Sequence, residues 1–273
     1  MKTYLPTQVG LAALALANIA PITQSHAAAF AAEVIDYTPG TGATLTDPSA
    51  ALGVPYPVVG EGTGFDGPLS PFNPHYESDQ VVQIGEGGQL TLRLSHFAEV
   101  SAGVREIGIF ANTGLIDVDF PNGMTGDPVA TFGIDSAIIE FSEDGVSWLG
   151  TDTVLLDQPT AYYTDTGNLN PANFGQSHDN VLADYAAQDL GGILTLLGGS
   201  AGGTWLELDP LPLTRVGYVR FSLADDGDPG TSLTAEIDAV AIEDRVLGDA
   251  IPEPSVPLLV LLVAGIGLRR RRA

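Results

Sequence analysis

In "QLTLRLS", Leu90, Leu92 and Leu94 alternate with Thr91, Arg93 and Ser95, the two-residue period of a strand with one apolar and one polar face. The Gly-rich stretch at 85–88 separates this run from the apolar Val81 to Ile84, so the pattern predicts a strand, a turn and a second strand. The form recurs in "AIIEFSEDGVSWLG", read as a strand from Ala137 to Ser142, an Asp144-Gly145 turn and a return strand from Val146 to Leu149. Asp-Gly between alternating hydrophobics is a strong hairpin signal. Further strands are predicted at Arg105 to Phe110, Thr151 to Leu156, Val216 to Leu223 and Leu233 to Ile242, while helical periodicity is confined to Asn180 to Leu190. About eight strands without crossover helices predict an all-β fold, an antiparallel β-sandwich of jelly-roll kind spanning residues 30–249. Trp148 and Trp205 lie in or beside apolar strands and are expected in its core.

The pattern changes at both ends. Lys2, an apolar stretch from Val9 to Ala20 and small residues at Ser25, Ala27 and Ala29 make residues 1–29 a secretory signal peptide, cut near Ala27 to Ala29. Residues 250–273 contain Pro252-Glu253-Pro254, the apolar Val256 to Leu268, and the run Arg269, Arg270, Arg271 and Arg272. The two prolines keep the tripeptide extended, because each lacks an N–H and biases its predecessor away from helix. Thirteen apolar residues form a helix of only ~20 Å, short for a bilayer core of ~30 Å, and the arginines fix its end on the cytoplasmic side.

This tail resembles the PEP-CTERM sorting signal of Gram-negative bacteria that produce exopolysaccharide. The resemblance implies an exosortase, a membrane-embedded sorting protease that recognises Pro252-Glu253-Pro254, removes the tail and passes the protein from the inner membrane to the cell surface or extracellular matrix. It implies nothing about the chemistry of residues 30–249. There, "VVQIGEGGQLTL" with "IIEFSEDGVSWLG", and "YVRFSLADDGDPG" with "EIDAVAI", resemble the strands of secreted discoidin or galactose-binding jelly rolls.

Composition narrows the partners. Thirty-four acidic residues against ten Lys and Arg give a formal net charge of −24, and residues 30–249 hold five arginines and no lysine. Such a field repels phosphate backbones, so nucleic acid is excluded as a partner. Cysteine is absent, so packing or bound cations must stabilise the exported fold without disulfides.

Candidate chemistry is sparse. No thiol nucleophile, G-x-S-x-G elbow or H-E-x-x-H zinc motif is present, and His26, His75, His96 and His178 are scattered. The expectation is a non-enzymatic protein that requires no cofactor. A carboxylate pair suited to glycoside hydrolysis is the third alternative, since so many acids bring some pair within ~5–10 Å by chance. Asp225, Asp226 and Asp228 in "ADDGDPG" could converge on a structural calcium ion. The jelly-roll resemblance adds Asp238, with Asp36 or Glu33, to that set; the plain alternative is a solvated acidic loop. The long segment 157–180 carries Tyr162, Tyr163 and Phe174 among amides and carboxylates, the stacking and hydrogen-bonding groups that sugar recognition uses. The plain alternative is that these rings hold the loop on the core. The leading expectation is therefore an exopolysaccharide-associated surface or matrix protein. A dedicated carbohydrate-binding module comes second.

Overall fold

A computed structural model describes residues 28–60, 66–161, 173–225 and 233–252. Among them the chain is predominantly antiparallel β-structure. The strands are β1 (Ala29–Thr38), β2 (Val58–Val59), β3 (Gly67–Pro68), β4 (Val82–Gly85), β5 (Gln89–Glu99), β6 (Arg105–Ala111) and β7 (Gly114–Leu115), followed by β8 (Thr131–Phe132), β9 (Asp135–Ser142), β10 (Leu149–Leu156), β11 (Thr204–Glu207), β12 (Arg215–Ser222), β13 (Thr234–Ile242) and β14 (Leu247–Ala250). The one described α-helix is α1 (Leu190–Leu197).

Ten of these strands form one continuous sheet, in the order β10-β9-β12-β5-β1-β13-β6-β11, with β14 beside β5 and β4 beside β13. The sheet folds over itself at β1. Ala29 and Phe30 pair with Ile242 and Ala241 of β13, whereas Ala31 to Thr38 pair with β5. The two layers enclose one apolar core: Leu90, Leu92, Ile139, Phe141, Val219 and Phe221 from one side meet Ile84, Ile107, Ile109, Ile237 and Ile242 from the other. Burial of a large aliphatic or aromatic side chain contributes about 1.5–3 kcal/mol, so this layer contact dominates the fold.

The predicted strands at 105–110, 137–142, 151–156, 216–223 and 233–242 are present, shifted by a residue or two at their ends. Four expectations change. Leu90, Leu92 and Leu94 point into the core as the alternation requires, yet Thr91 and Arg93 on the opposite face are also buried. Their cross-strand neighbours are long: Tyr218 and Glu33 flank Arg93, and Arg220 and Asp36 flank Thr91. Arg93 Nε donates to Glu33 Oε2 at 2.6 Å and its Nη1 to the Ile251 carbonyl at 3.3 Å. The outer face is thus closed by its own side chains and by the chain's return.

The Asp144-Gly145 connection is wider than a two-residue hairpin. Asp144 Oδ1 accepts the Val146 and Ser147 N–H groups, both at 2.8 Å, and this side-chain turn delays the return strand until Leu149. Trp148 therefore stays outside, half-buried with Arg220 against its ring, whereas Trp205 is buried. The helical expectation at 180–190 resolves into a 3-10 turn at Leu182–Tyr185 and then α1. Asp189 starts α1 by accepting the Gly192 N–H, and Gly198, in the left-handed region at φ 60°, ends it.

A β-bulge breaks the register of β13 between Ile237 and Ala239. Asp238 sits in it, buried, with Oδ2 2.8 Å from His75 Nδ1, and His75 Nε2 lies 2.8 Å from the Tyr56 carbonyl. The Tyr56 carbonyl can only accept, so Nε2 carries a proton; with Asp238 ionised, Nδ1 donates as well and the imidazole is charged. Burial, the largest single effect, lowers its pKa, but the Asp238 carboxylate, the Tyr56 carbonyl and Glu77 together raise it above the usual histidine value. This pair pins the 56–80 region to β13.

Candidate functional site: a mixed-charge cleft

The ends of β13 and β6 lie side by side, with Ile242 opposite Ile107 and the Glu243 N–H donating to the Glu106 carbonyl at 2.9 Å. The neighbouring backbone brings Arg105, Glu243, Asp244 and Arg245 to one end of the sandwich, where they line a cleft of about 540 Å3 with the 173–179 segment. Glu106 points the other way. Its carboxylate accepts the Ser101 and Leu208 N–H groups, both at 2.8 Å, closing the turn before β6 and the exit from β11. Burial raises its pKa.

The 173–179 wall is held down by a small apolar cluster on the outer side of β13 and β6. Phe174 is 4% exposed and packs edge-on to Phe110 at 5.1 Å between centroids, with Phe30 at 5.9 Å. Trp205 joins the cluster and lies flat over Gly108, whose backbone could not accept even a Cβ: that atom would come 2.6 Å from the indole. The Asp244 N–H donates to the Gly175 carbonyl at 2.7 Å, the Ser177 N–H to Glu243 Oε2 at 2.5 Å, and Ser200 Oγ to the Gln176 carbonyl at 2.5 Å.

The cleft is rich in ion pairs. Arg105 Nε donates to Asp179 Oδ1 at 2.9 Å and Nη1 to the Trp205 carbonyl at 3.0 Å. Arg245 Nε donates to Glu243 Oε1 at 2.8 Å and Nη2 to Ser177 Oγ at 3.1 Å. Glu243 pulls the Arg245 pKa still further up. His178 Nε2 donates to the Gly203 carbonyl at 3.0 Å while Nδ1 accepts the Asn180 N–H at 3.2 Å. Burial first, then the nearby Arg105 charge, lowers the His178 pKa, so it is neutral at pH 7. Neither of its nitrogens can take a proton from Ser177, and both Glu243 oxygens already accept N–H donors. These groups offer hydrogen bonds of both polarities rather than a nucleophile paired with a base.

The residues singled out from sequence distribute as follows. Phe174 faces inward and is a packing residue, since a buried ring has no face left for a sugar; Tyr162 and Tyr163 lie outside the described residues. Asp225 sits beside the turn at Gly87, Asp226 and Asp228 lie outside the described residues, and Asp238 is four residues into β13, bound to His75. Among the described residues no group of three or more His, Cys, Asp or Glu is placed to hold a metal ion. Pro252 ends the described chain; Glu253, Pro254 and Arg269 to Arg272 lie outside it, as do residues 1–27. Among the described residues no helix is long and apolar enough to cross a membrane. Arg105, Glu243 and Arg245 carried no motif, but there was a signal: in residues 30–249 only five cations occur, and two of them meet here.

No protein-family model matches the chain, and no curated protein is similar to it.

Proposed function

We propose that this is an exported, non-enzymatic protein of the cell surface or extracellular matrix, delivered through its tail by an exosortase-type sorting protease and associated there with exopolysaccharide. The observation that carries the reading is the position of Ile251. Among the described residues it is the last one packed into the core, its N–H donates to the Ser95 carbonyl at 3.0 Å, and its carbonyl accepts from Arg93. These contacts hold the chain in the fold up to the residue directly before Pro252. A cut after Pro252 leaves the Ile251 contacts in place, which suits a sorting signal that is removed. The β-sandwich fits the finer reading of a jelly roll similar to discoidin or galactose-binding modules, whose rigid frame presents end loops to a polymer.

Fractionation of producing cells with and without the sorting protease tests the reading. The protein is expected in the surface or matrix fraction when the protease is present and in the inner-membrane fraction when it is deleted. Identical distribution in both strains would overturn the proposal. The mixed-charge cleft favours the second reading, a dedicated carbohydrate-binding module, as an added activity of the same exported protein.

A further inference from the structure

We infer that the cleft between Arg105 and Arg245 is a binding site for neutral, polyhydroxylated sugars. The inference deepens the exopolysaccharide reading above and rests on it only for the biological source of the ligand. A guanidinium carries five N–H groups in a fixed fork, and two hydrogen bonds each account for the protein contacts of Arg105 and Arg245. Both side chains are accessible, at 38% and 63%. The remaining donors border the same hollow as the Asp179 carboxylate, which is 91% exposed.

Three ligand classes fit poorly. An anion would meet the carboxylates of Asp179, Glu243 and Asp244 against two arginines, inside a protein of net charge −24. A cation would meet the two guanidinium groups. An apolar ligand would strip water from donors and acceptors without replacing its hydrogen bonds. A sugar hydroxyl differs from all three because it both donates and accepts, so it can bridge a guanidinium and a carboxylate set side by side. The wall is already fixed by Phe174 and by the backbone bonds of Gly175 and Ser177, so little ordering cost falls on binding. A second hollow of about 140 Å3 shares Arg105 and His178 and reaches Asp157 and Gln158. The combined shape suits an oligosaccharide rather than a single ring.

Titration of the purified full chain with neutral hexo-oligosaccharides (glucan, mannan and galactan fragments) and separately with oligogalacturonate tests this, read on the arginine Nε–H resonances by NMR. The Arg105 and Arg245 signals are expected to move with a neutral oligosaccharide and stay still with oligogalacturonate, while those of Arg215 and Arg220 on the far sheet stay still with both. Asp179→Ala alters an exposed side chain, and Arg245→Lys keeps a cation beside the buried Glu243 while removing the guanidinium fork; with an unchanged melting temperature confirming the fold, each should weaken binding at least tenfold. No shift with any neutral oligosaccharide, a preference for oligogalacturonate, or undiminished binding by both variants would each overturn the inference. The readout is on purified protein, so its failure is distinct from failure of the export reading.

Discussion

The guanidinium carbon of Arg220 lies 4.2 Å from the ring centroid of Trp148, and the same side chain donates from Nε to Glu140 Oε2 at 2.6 Å. Three strands' worth of sequence converge there: Glu140 from β9, Arg220 from β12 and Trp148 from the loop before β10. Arginine suits the position because its flat fork can stack on the indole and still pair with the carboxylate. Arg220→Ala should lower the unfolding free energy by about 1–2 kcal/mol, the sum of a partly buried ion pair and a cation–π contact. Arg220→Lys should recover only part of it. An unchanged urea midpoint in Arg220→Ala would show that the stack contributes nothing.

Asp135 gives the fold a pH dependence with a definite sign. Burial, reinforced by repulsion from Glu236, outweighs the Glu236 N–H that Asp135 accepts at 2.8 Å and pushes its carboxyl up to about 7. Glu236 is in turn clamped by the amides of Gln83 and Asn112. A folded-state pKa above the unfolded value of 3.8 means the native state holds the proton more tightly. This contribution is complete below the unfolded value and is lost as pH rises to about 7. His75 and Asp238, both raised, act in the same direction, and His178, lowered, acts against them. The difference between wild type and Asp135→Asn isolates one group: their melting temperatures should converge toward acid pH and favour the variant above pH ~7. Parallel curves would remove Asp135 from the balance.

The His75 and Asp238 pair should be costly to break from one side only. His75→Ala leaves a buried carboxylate facing no donor, a loss of about 3–5 kcal/mol in comparable buried pairs. Adding Asp238→Asn to that variant removes the stranded charge and should restore part of the stability. If the double variant is no more stable than His75→Ala in chemical denaturation, the loss comes from packing of the imidazole and not from the charge.

Much of the fold was legible because one face of each central strand meets the core. Leu90, Leu92 and Leu94, then Ile139 with Phe141, and Val219 with Phe221, carry the alternation on which the strand pattern rests. β1 was not legible: register shifts after Ala31 and Val34 break its period, and it serves two layers in turn. Trp148 misled because hydrophobic size does not reveal which side of a sheet a loop residue will take; the Asp144 turn and the Arg220 stack decide that. Phe174 follows the plainer of the two readings, a ring that holds its loop on the core: its polar neighbours belong to the cleft wall while its ring belongs to the layer beneath. The cleft itself joins residues from 105, 173–179 and 243–245. No local pattern links such positions; the pairing of β6 with β13 and the packing of Phe174 on those strands bring them together.

The central claim, that the tail is an address removed on delivery, is tested most directly by the intact mass of the protein recovered from the cell surface. The expected mass ends within or directly after Pro252-Glu253-Pro254, with the core through Ile251 complete. A surface-exposed form that still carries Arg269 to Arg272 would contradict it.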